Sequence, residues 1–162
     1  HATEDLAIFR VLPEMTVVAP ADPVESALAT RAIVQHQGPC FLRLGKAGEP
    51  TLHDPAVPFI LGKSIRVREG ADLTLIGTGP ILVTCLQAAD QLMMQGVSTR
   101  VISMHTLKPL DRDAILLAAQ ETSAILTVEE HSEVGGLGGA VAEVLAQSGG
   151  RRVPFRRGRR CG

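Results

Sequence analysis

The feature that most constrains this chain is a regular alternation of short apolar, β-branched runs with amphipathic stretches. Between residues 72 and 129 the order is strand, helix, strand, helix, strand. Strands separated by single helices pair in parallel through right-handed crossovers, and the helices cover both faces of the sheet. The sequence therefore predicts an α/β fold, with a three-layer α/β/α domain and a mostly parallel sheet in its larger part.

The larger region contains most of the predicted elements. Helix 80–95 has one apolar face, and Gly96 ends it in the usual C-terminal manner. The other expected elements are strands 63–68, 72–78, 99–105, 124–129 and 151–156, and helices 111–121 and 136–147.

A smaller strand–helix–strand unit precedes this region. Asp22 has the features of a helix N-cap, since proline follows it at the first helical position. Glu25 completes an Asp-x-x-Glu capping pattern, and the helix is expected to run to about His36. The flanking elements are predicted to be a first helix capped by Thr3 and strands 16–19 and 40–44.

A break in this alternation suggests the organisation of the chain. Residues 46–61 are rich in glycine and proline and are expected to be a linker. We accordingly divide the chain into a first unit (1–45), the linker, a second unit (62–157) and an atypical basic tail (158–162). Because the chain begins at His1 rather than Met, we interpret it as a fragment.

Composition narrows the possible functions. Apolar residues make up 45% of the chain, which supports a real core, while aromatic residues are 2%, which disfavours modules that stack nucleic-acid bases. No apolar run approaches the roughly 18 residues that span a bilayer. Three cysteines without a C-x-x-C pair suit a reducing cytoplasm. We interpret Cys40 and Cys85 as small buried hydrophobic residues.

The charge is unevenly distributed along the chain. Residues 151–162 hold six of the sixteen basic residues, so the remainder carries ten bases against seventeen acids, a net charge of −7. A basic tail is compatible with nucleic-acid or membrane contact. The alternative, which we prefer, is a last strand with a ragged end.

Candidate functional residues follow two of the predicted strands. Arg43 and Lys46 lie where a strand reaches the edge at which α/β proteins bind ligands, and both side chains suit phosphate. The alternative is a solvated strand end that pairs with Glu49. Glu130 and His131 close another strand, where a histidine beside a carboxylate fits either a general base or a polar subunit contact.

Two glycine-rich turns precede predicted helices. Residues 77–80 (Gly-Thr-Gly-Pro) lack a dinucleotide fingerprint because Leu82 occupies the third glycine position, so a tight turn is preferred over phosphate binding. Residues 135–139 (Gly-Gly-Leu-Gly-Gly) lack a following Gly-Lys-Ser/Thr and indicate a closely packed helix start. Five scattered histidines do not suggest a metal site.

The order of these segments resembles the C-terminal section of the thiamine diphosphate-dependent enzymes of the transketolase family. The resemblance rests on five segments of the chain. They are His-Ala-Thr-Glu-Asp-Leu-Ala at 1–7, Pro-Ala-Asp-Pro-Val-Glu at 20–25, Gly-Pro-Cys-Phe-Leu-Arg-Leu-Gly-Lys at 38–46, Leu-Lys-Pro-Leu-Asp at 107–111, and Glu-Glu-His before the glycines at 129–139.

The resemblance implies that residues 1–45 are the C-terminal part of a pyrimidine-binding domain and that residues 62–157 are a transketolase-like C-terminal domain. It implies an enzyme that transfers two-carbon ketol units between sugar phosphates. Thiamine diphosphate and Mg²⁺ would be bound mainly by regions absent from this chain, so the isolated chain is expected to be inactive. The implied partner is a second copy or a complementary diphosphate-binding subunit in the cytoplasm.

The resemblance also implies roles for single residues. His1 would contact substrate as a catalytic residue, and Arg43 with Lys46 would bind the substrate phosphate. Glu130 and His131 would serve an interface or a regulatory role. Lys46 departs from the arginine usual in 1-deoxy-D-xylulose-5-phosphate synthases.

Other functions remain open at this point. Within the same superfamily, the alternatives are a 1-deoxy-D-xylulose-5-phosphate synthase and a piece of a 2-oxo acid dehydrogenase beta subunit. From a different class, the alternative is a non-catalytic assembly module that docks onto a separate diphosphate-binding chain. Nucleic acid and membranes are not expected partners.

Overall fold

The computed structural model describes residues 3–149 and 153–159, which form helices packed around two sheets. Its helices and strands, in chain order, are α1 (Asp5–Val11), β1 (Thr16–Val18), α2 (Pro23–Gln35), β2 (Cys40–Leu42), β3 (Ile65–Arg68), β4 (Leu73–Gly77), α3 (Leu82–Met94), β5 (Thr99–Ser103), β6 (Thr106–Lys108), α4 (Arg112–Glu121), β7 (Ala124–Glu129), α5 (Leu137–Gln147) and β8 (Phe155–Arg159). A short 3-10 turn, Gly79–Ile81, leads into α3.

The larger sheet has the strand order β3–β5–β4–β7–β8. All neighbouring pairs are parallel except β3 with β5, so the sheet is mostly parallel with one antiparallel edge strand. Successive residues of β4 point to opposite faces. Leu75 packs with α3 in one cluster, while Ile76 packs with α4 and α5 in another. The predicted three-layer α/β/α arrangement is confirmed.

The smaller sheet joins the two parts of the chain. Strand β1 pairs in parallel with β2 and antiparallel with β6, and β6 belongs to the larger region of the sequence. The sequence predicted one continuous strand, 99–105, and no strand at 106–108. That prediction was wrong because β5 ends at Ser103 and the chain then turns to pair with Val17 and Val18.

Helix capping agrees with the sequence at α2 and differs at α1. Asp22 caps α2 by accepting the backbone N–H of Glu25 at 2.8 Å, as expected. The expected cap at Thr3 was wrong: α1 follows Glu4, and both the backbone N–H and the hydroxyl of Thr3 donate to the Glu4 carboxylate. That short-range contact satisfies Glu4 and lowers its pKa.

The last described strand lies later in the chain than the sequence suggested. Strand β8 covers Phe155–Arg159 and pairs in parallel with β7. Of the predicted strand 151–156, residues 151 and 152 lie outside the described residues, and Val153 and Pro154 precede the strand. Val153, just before the strand, and Phe155, its first residue, both pack against the main core. The strand includes Gly158 and Arg159, where the basic tail was predicted to start; residues 160–162 lie outside the described ranges.

Both cysteines in the described ranges remain free thiols. Cys85 is buried, and burial raises its pKa to about 12, so it behaves as the small hydrophobic residue predicted. Cys40 is only half-buried, which departs from that interpretation because its strand lies at the edge of the smaller sheet. Within residues 3–149 and 153–159, no helix has both the length and the apolar character to cross a membrane.

Candidate functional site

The C-terminal ends of β1, β2 and β7 meet beside α1, and four of the five predicted site residues lie on the segments that leave them. The backbone N–H of Arg43 donates to the carbonyl of Val18 at 2.8 Å, which extends the pairing of β1 and β2 by one step. Glu130 and His131 follow β7 directly. His1, the predicted catalytic residue, lies outside the described residues.

Arg43 is held by two other segments of the protein. Its Nε donates to the Asp5 carboxylate at 3.0 Å, and its guanidinium donates to the carbonyl of Glu130 at 3.2 Å. The alternative expected from sequence, pairing with Glu49, is replaced by the pair with Asp5. A half-buried pair of this kind fixes the guanidinium plane, so Arg43 joins α1, β2 and β7 at one point.

His131 is buried and both of its ring nitrogens have partners. Nδ1 lies 2.8 Å from the Ser132 carbonyl, and Nε2 lies 3.3 Å from the backbone N–H of Ala7. A neutral ring with its proton on Nδ1 satisfies both contacts, because Nε2 then accepts. The geometry therefore favours a structural tie between α1 and the end of β7 over a general base with a free nitrogen.

Lys46 has a different environment from Arg43. Its side chain is exposed on the loop after β2, and among the described residues no side chain pairs with its ammonium group. The preceding Gly45 lies tightly against Pro80 and Glu49, where a side chain would overlap both. Of the two predicted phosphate-binding cations, Arg43 already bonds to Asp5 and Glu130, whereas the side chain of Lys46 is exposed and accessible to a ligand.

The glycine-rich turn before α5 encloses a carboxylate of the protein itself. Glu129 is buried, and its two oxygens accept the backbone N–H groups of Leu137 and Gly138 at 2.7 and 2.8 Å. A Cβ on Gly136 would overlap this carboxylate and the His131 ring. The anion at this helix start is thus Glu129, which agrees with the predicted closely packed helix start.

The backbone of the turn at residues 77–80 also makes hydrogen bonds within the protein. The backbone N–H of Gly79 donates to the carbonyl of Ala19 at 3.0 Å, and the carbonyl of Gly77 accepts from Met104 at 2.8 Å. The tight turn preferred from sequence connects the larger sheet to the segment after β1.

A buried charged group that the sequence did not indicate lies at the start of α2. His53, from the predicted linker, sits between Asp22 and Glu25, and all three side chains are almost completely buried. Burial raises the pKa of Glu25, although Ser103 and His53 oppose that rise. Burial also acts to raise the pKa of Asp22, but hydrogen bonds from the backbone N–H groups of Glu25, Leu52 and His53 hold it below its usual value.

A second buried histidine lies close to this group. His105 stacks on Phe59 with ring centroids 4.0 Å apart, and its Nδ1 lies 2.9 Å from the hydroxyl of Thr106. Burial lowers the pKa of His105 to about 4, with repulsion from His53 adding to the effect and Asp111 opposing it. No sequence signal marked His53 or His105. Each is a single histidine, and the residues that enclose it include distant ones, Asp22 for His53 and Phe59 for His105.

This two-sheet arrangement defines an α/β protein in which both units contribute side chains to one hydrophobic core. The family model for the transketolase pyrimidine-binding domain matches residues 1–49, and the model for the transketolase C-terminal domain matches residues 62–158. The chain belongs to the transketolase family, as the resemblance in its sequence predicted.

Three proteins are similar to this chain in sequence or in structure. The 6-deoxy-6-sulfo-D-fructose transketolase subunit of a Clostridium species is 39% identical over 95% of this chain, which spans 47% of that protein. An apulose-4-phosphate transketolase subunit from Phocaeicola vulgatus is 37% identical over 91% of this chain, which spans 48% of that protein. A split-gene transketolase, solved as an inactive beta4 tetramer, superposes with a TM-score of 0.90 at 40% identity, with 98% of this chain and 52% of that chain covered. The chain thus spans about half the length of these relatives.

The family implies thiamine diphosphate, for which the described residues offer no matching set of ligands. Within the described ranges, the one cluster with metal-ligand spacing is Asp22, Glu25 and His53. Its carboxylate oxygens all accept hydrogen bonds inside the protein, and it is closed to solvent. These residues therefore do not fit a diphosphate and its magnesium ion.

Proposed function

We propose that this chain is the part of a split or multidomain transketolase that binds the phosphate of a sugar phosphate, completes the active site of a diphosphate-binding partner, and is inactive alone. The reaction would transfer a two-carbon ketol unit between phosphorylated sugars. The observation that carries the proposal is Lys46, an exposed cation on the loop leaving the carboxyl edge of the smaller sheet. Supporting it, two similar proteins are named transketolase subunits.

Lys46 and Arg43 have different proposed roles because their environments differ. Lys46 would bind the phosphate as a mobile point charge. Arg43 would contribute by holding α1 and the β7 end in place, and its guanidinium would lend positive potential to the same edge. His1 would contact substrate hydroxyls, and Glu130 and His131 would support the interface with the partner.

Replacement of Lys46 by alanine is expected to raise the KM for a phosphorylated ketose roughly tenfold, because a charge-assisted contact to phosphate contributes about 1.5 kcal/mol or more. The measurement is steady-state ketol transfer by the assembled enzyme, in which this chain acts with its diphosphate-binding portion. The KM for a ketol donor without a phosphate group should stay within twofold. Lys46→Arg should restore most of the affinity.

Arg31→Ala is the matched control, since it removes an exposed cation from α2, away from the strand ends. An unchanged KM for the phosphorylated donor in Lys46→Ala would refute the phosphate role. Arg43→Ala should raise the same KM but also destabilise the fold, because Asp5 would lose its partner.

A further inference from the structure

A cavity of about 330 Å³ lies where α1, the turn between β6 and α4, and α5 come together. Residues 107–110, from the Leu-Lys-Pro-Leu-Asp segment singled out in the sequence, line one side of it. Arg10 lines it from the first unit of the chain, and α5 closes it from the second. The cavity therefore lies between the two units, and none of its lining residues belongs to the loop that carries Lys46.

The floor of the cavity is apolar. Leu107, Ala140 and Val144 line it and are only 2%, 2% and 3% exposed. Leu110 lines the same cavity and is half-buried. Concave sites of this kind bind the carbon part of a small ligand, while a few polar groups fix its orientation.

The polar groups around this floor are mainly cationic. Arg10, Lys108 and Arg112 line the cavity together with one carboxylate, that of Glu143, so its lining has a formal charge of three minus one, or +2. Residues 1–150 as a whole carry ten bases against seventeen acids, a net charge of −7. The cations thus collect in a concave surface against the charge of the rest of the body, which favours an anionic ligand there.

Two of these cations are held by the protein, but only one of them is balanced. Nη2 of Arg10 donates to the Glu143 carboxylate at 2.7 Å. Nζ of Lys108 donates to the backbone carbonyls of Arg10 and Leu12 at 3.1 and 2.6 Å. A carbonyl carries only a partial charge, and within the described residues no carboxylate pairs with Lys108. Its ammonium group also has a third N–H donor, which can bind a further acceptor.

Arg112 likewise has no carboxylate partner in the part of the chain that the structure describes. Its Nη1 donates to the amide oxygen of Gln147 at 3.2 Å. The acids beside it in the sequence, Asp111 and Asp113, pair with Lys63 instead. Arg112 and Lys108 therefore bring two uncompensated positive charges to one cavity.

The spacing of the guanidinium groups suits one tetrahedral anion. Glu143 and Gln147 are four residues apart on α5, a rise of about 6 Å along the helix. The guanidinium groups of Arg10 and Arg112 bond to these two side chains, so their separation is of the same order. A phosphate that accepts hydrogen bonds of about 2.8 Å on two sides spans such a gap.

We propose that this cavity binds a phosphate monoester with a small apolar body, at a site separate from Lys46. A phosphate monoester carries a charge of about −1.5 to −2 near pH 7, which matches the two uncompensated cations, whereas a carboxylate matches only one. Lys108 and Arg112 bind the phosphate, and the floor of Leu107, Ala140 and Val144 contacts the carbon part. The bound ligand joins α1 to α4 and α5.

Isothermal calorimetry on the assembled enzyme tests this site, with phenyl phosphate as the probe. The enzyme is saturated with thiamine diphosphate and carries Lys46→Ala, so the phosphate contact proposed above does not contribute. Phenyl phosphate is expected to bind with a Kd of about 0.1 mM. Inorganic phosphate, which lacks the apolar body, should bind about tenfold more weakly, and phenol, which lacks the charge, should give no measurable binding.

Two cavity variants with opposite changes of charge should shift this Kd in opposite directions. Arg112→Gln should weaken phenyl phosphate binding about fivefold, and Glu143→Gln should strengthen it about threefold, because the carboxylate repels the anion. Both side chains are exposed, so the unfolding midpoint without ligand should hardly change. Lys108 is left intact because it also holds the end of α1. Arg31→Gln, at an exposed cation on α2, is the matched control and should leave the Kd unchanged.

The outcomes bear on this cavity and leave the role of Lys46 aside, since every protein tested lacks that side chain. The same Kd in Arg112→Gln as in Arg31→Gln would overturn the site, as would the absence of heat at 10 mM (about 100 times the expected Kd) phenyl phosphate. Weaker binding in Glu143→Gln would mean that the cavity does not select an anion, and would also overturn it. Benzoate bound as tightly as phenyl phosphate would refute the match to a dianion and with it the phosphate assignment.

Discussion

Replacing Glu129 by alanine is expected to lower the free energy of unfolding by about 3 kcal/mol. The carboxylate is 2% exposed, and it accepts two backbone N–H groups of α5 at 2.7 and 2.8 Å. Its removal leaves those donors buried without partners and removes a negative charge from the positive end of the helix. Leu137, at the start of that helix, belongs to the main core, so loosening this end also loosens the packing on β7.

Urea unfolding followed by far-ultraviolet circular dichroism is the suitable measurement, since the chain has no Trp or Tyr for fluorescence. Glu133→Ala, at an exposed carboxylate four residues along the same segment, is the control and should change stability by less than about 0.5 kcal/mol. Glu129→Gln should be intermediate, because one amide oxygen still accepts while the amide nitrogen meets a donor. Equal stability of the two alanine variants would show that the helix start does not depend on Glu129.

The parts of the fold that the sequence revealed are those set by local patterns. Alternating apolar runs located most strands and helices of the larger sheet, because each element must bury one face regardless of its neighbours. The Asp22 cap was predictable for a similar reason, since a helix N-terminus satisfies its N–H groups within a few residues. The placement of Lys46 on the loop after β2 also follows from the local pattern, and its phosphate-binding role stays a prediction.

The parts of the fold and of the candidate site that the sequence did not predict depend on contacts between residues distant in the chain. Strand β6 exists because Thr106 and Lys108 pair with β1, some 90 residues upstream, and the apolar pattern does not specify that partner. The pair of Arg43 with Asp5, and the placement of His53 between two carboxylates, likewise require the fold to be formed first. Opposite charges occur throughout the sequence, so residue type alone does not indicate which of them meet in the core.

The second prediction with a large effect is that His105 lowers the free energy of unfolding as the pH becomes acid. Burial holds the pKa of this histidine at about 4 in the folded protein, against about 6.5 in an unfolded chain. The unfolded state therefore binds the extra proton between these values, and stability falls as pH drops from about 6.5 to about 4. A difference of about two and a half pKa units corresponds to about 3 kcal/mol, lost in full near pH 4.

His105→Gln is expected to remove this slope, because glutamine does not titrate while it can still bond to Thr106. Urea unfolding at pH steps from 7.5 to 4 measures the slope directly, and His36→Gln is the control because that histidine is exposed. Asp22 does not affect this comparison. Its pKa is lowered in the folded protein, so its contribution to the free energy of unfolding is lost only below about pH 4. Glu25 has a raised pKa, so its titration stabilises the folded state as pH falls. This effect is present in both the unmodified protein and His105→Gln. Parallel slopes in the unmodified protein and His105→Gln would show that His105 accepts its proton in the folded state and that the stack on Phe59 is open to water.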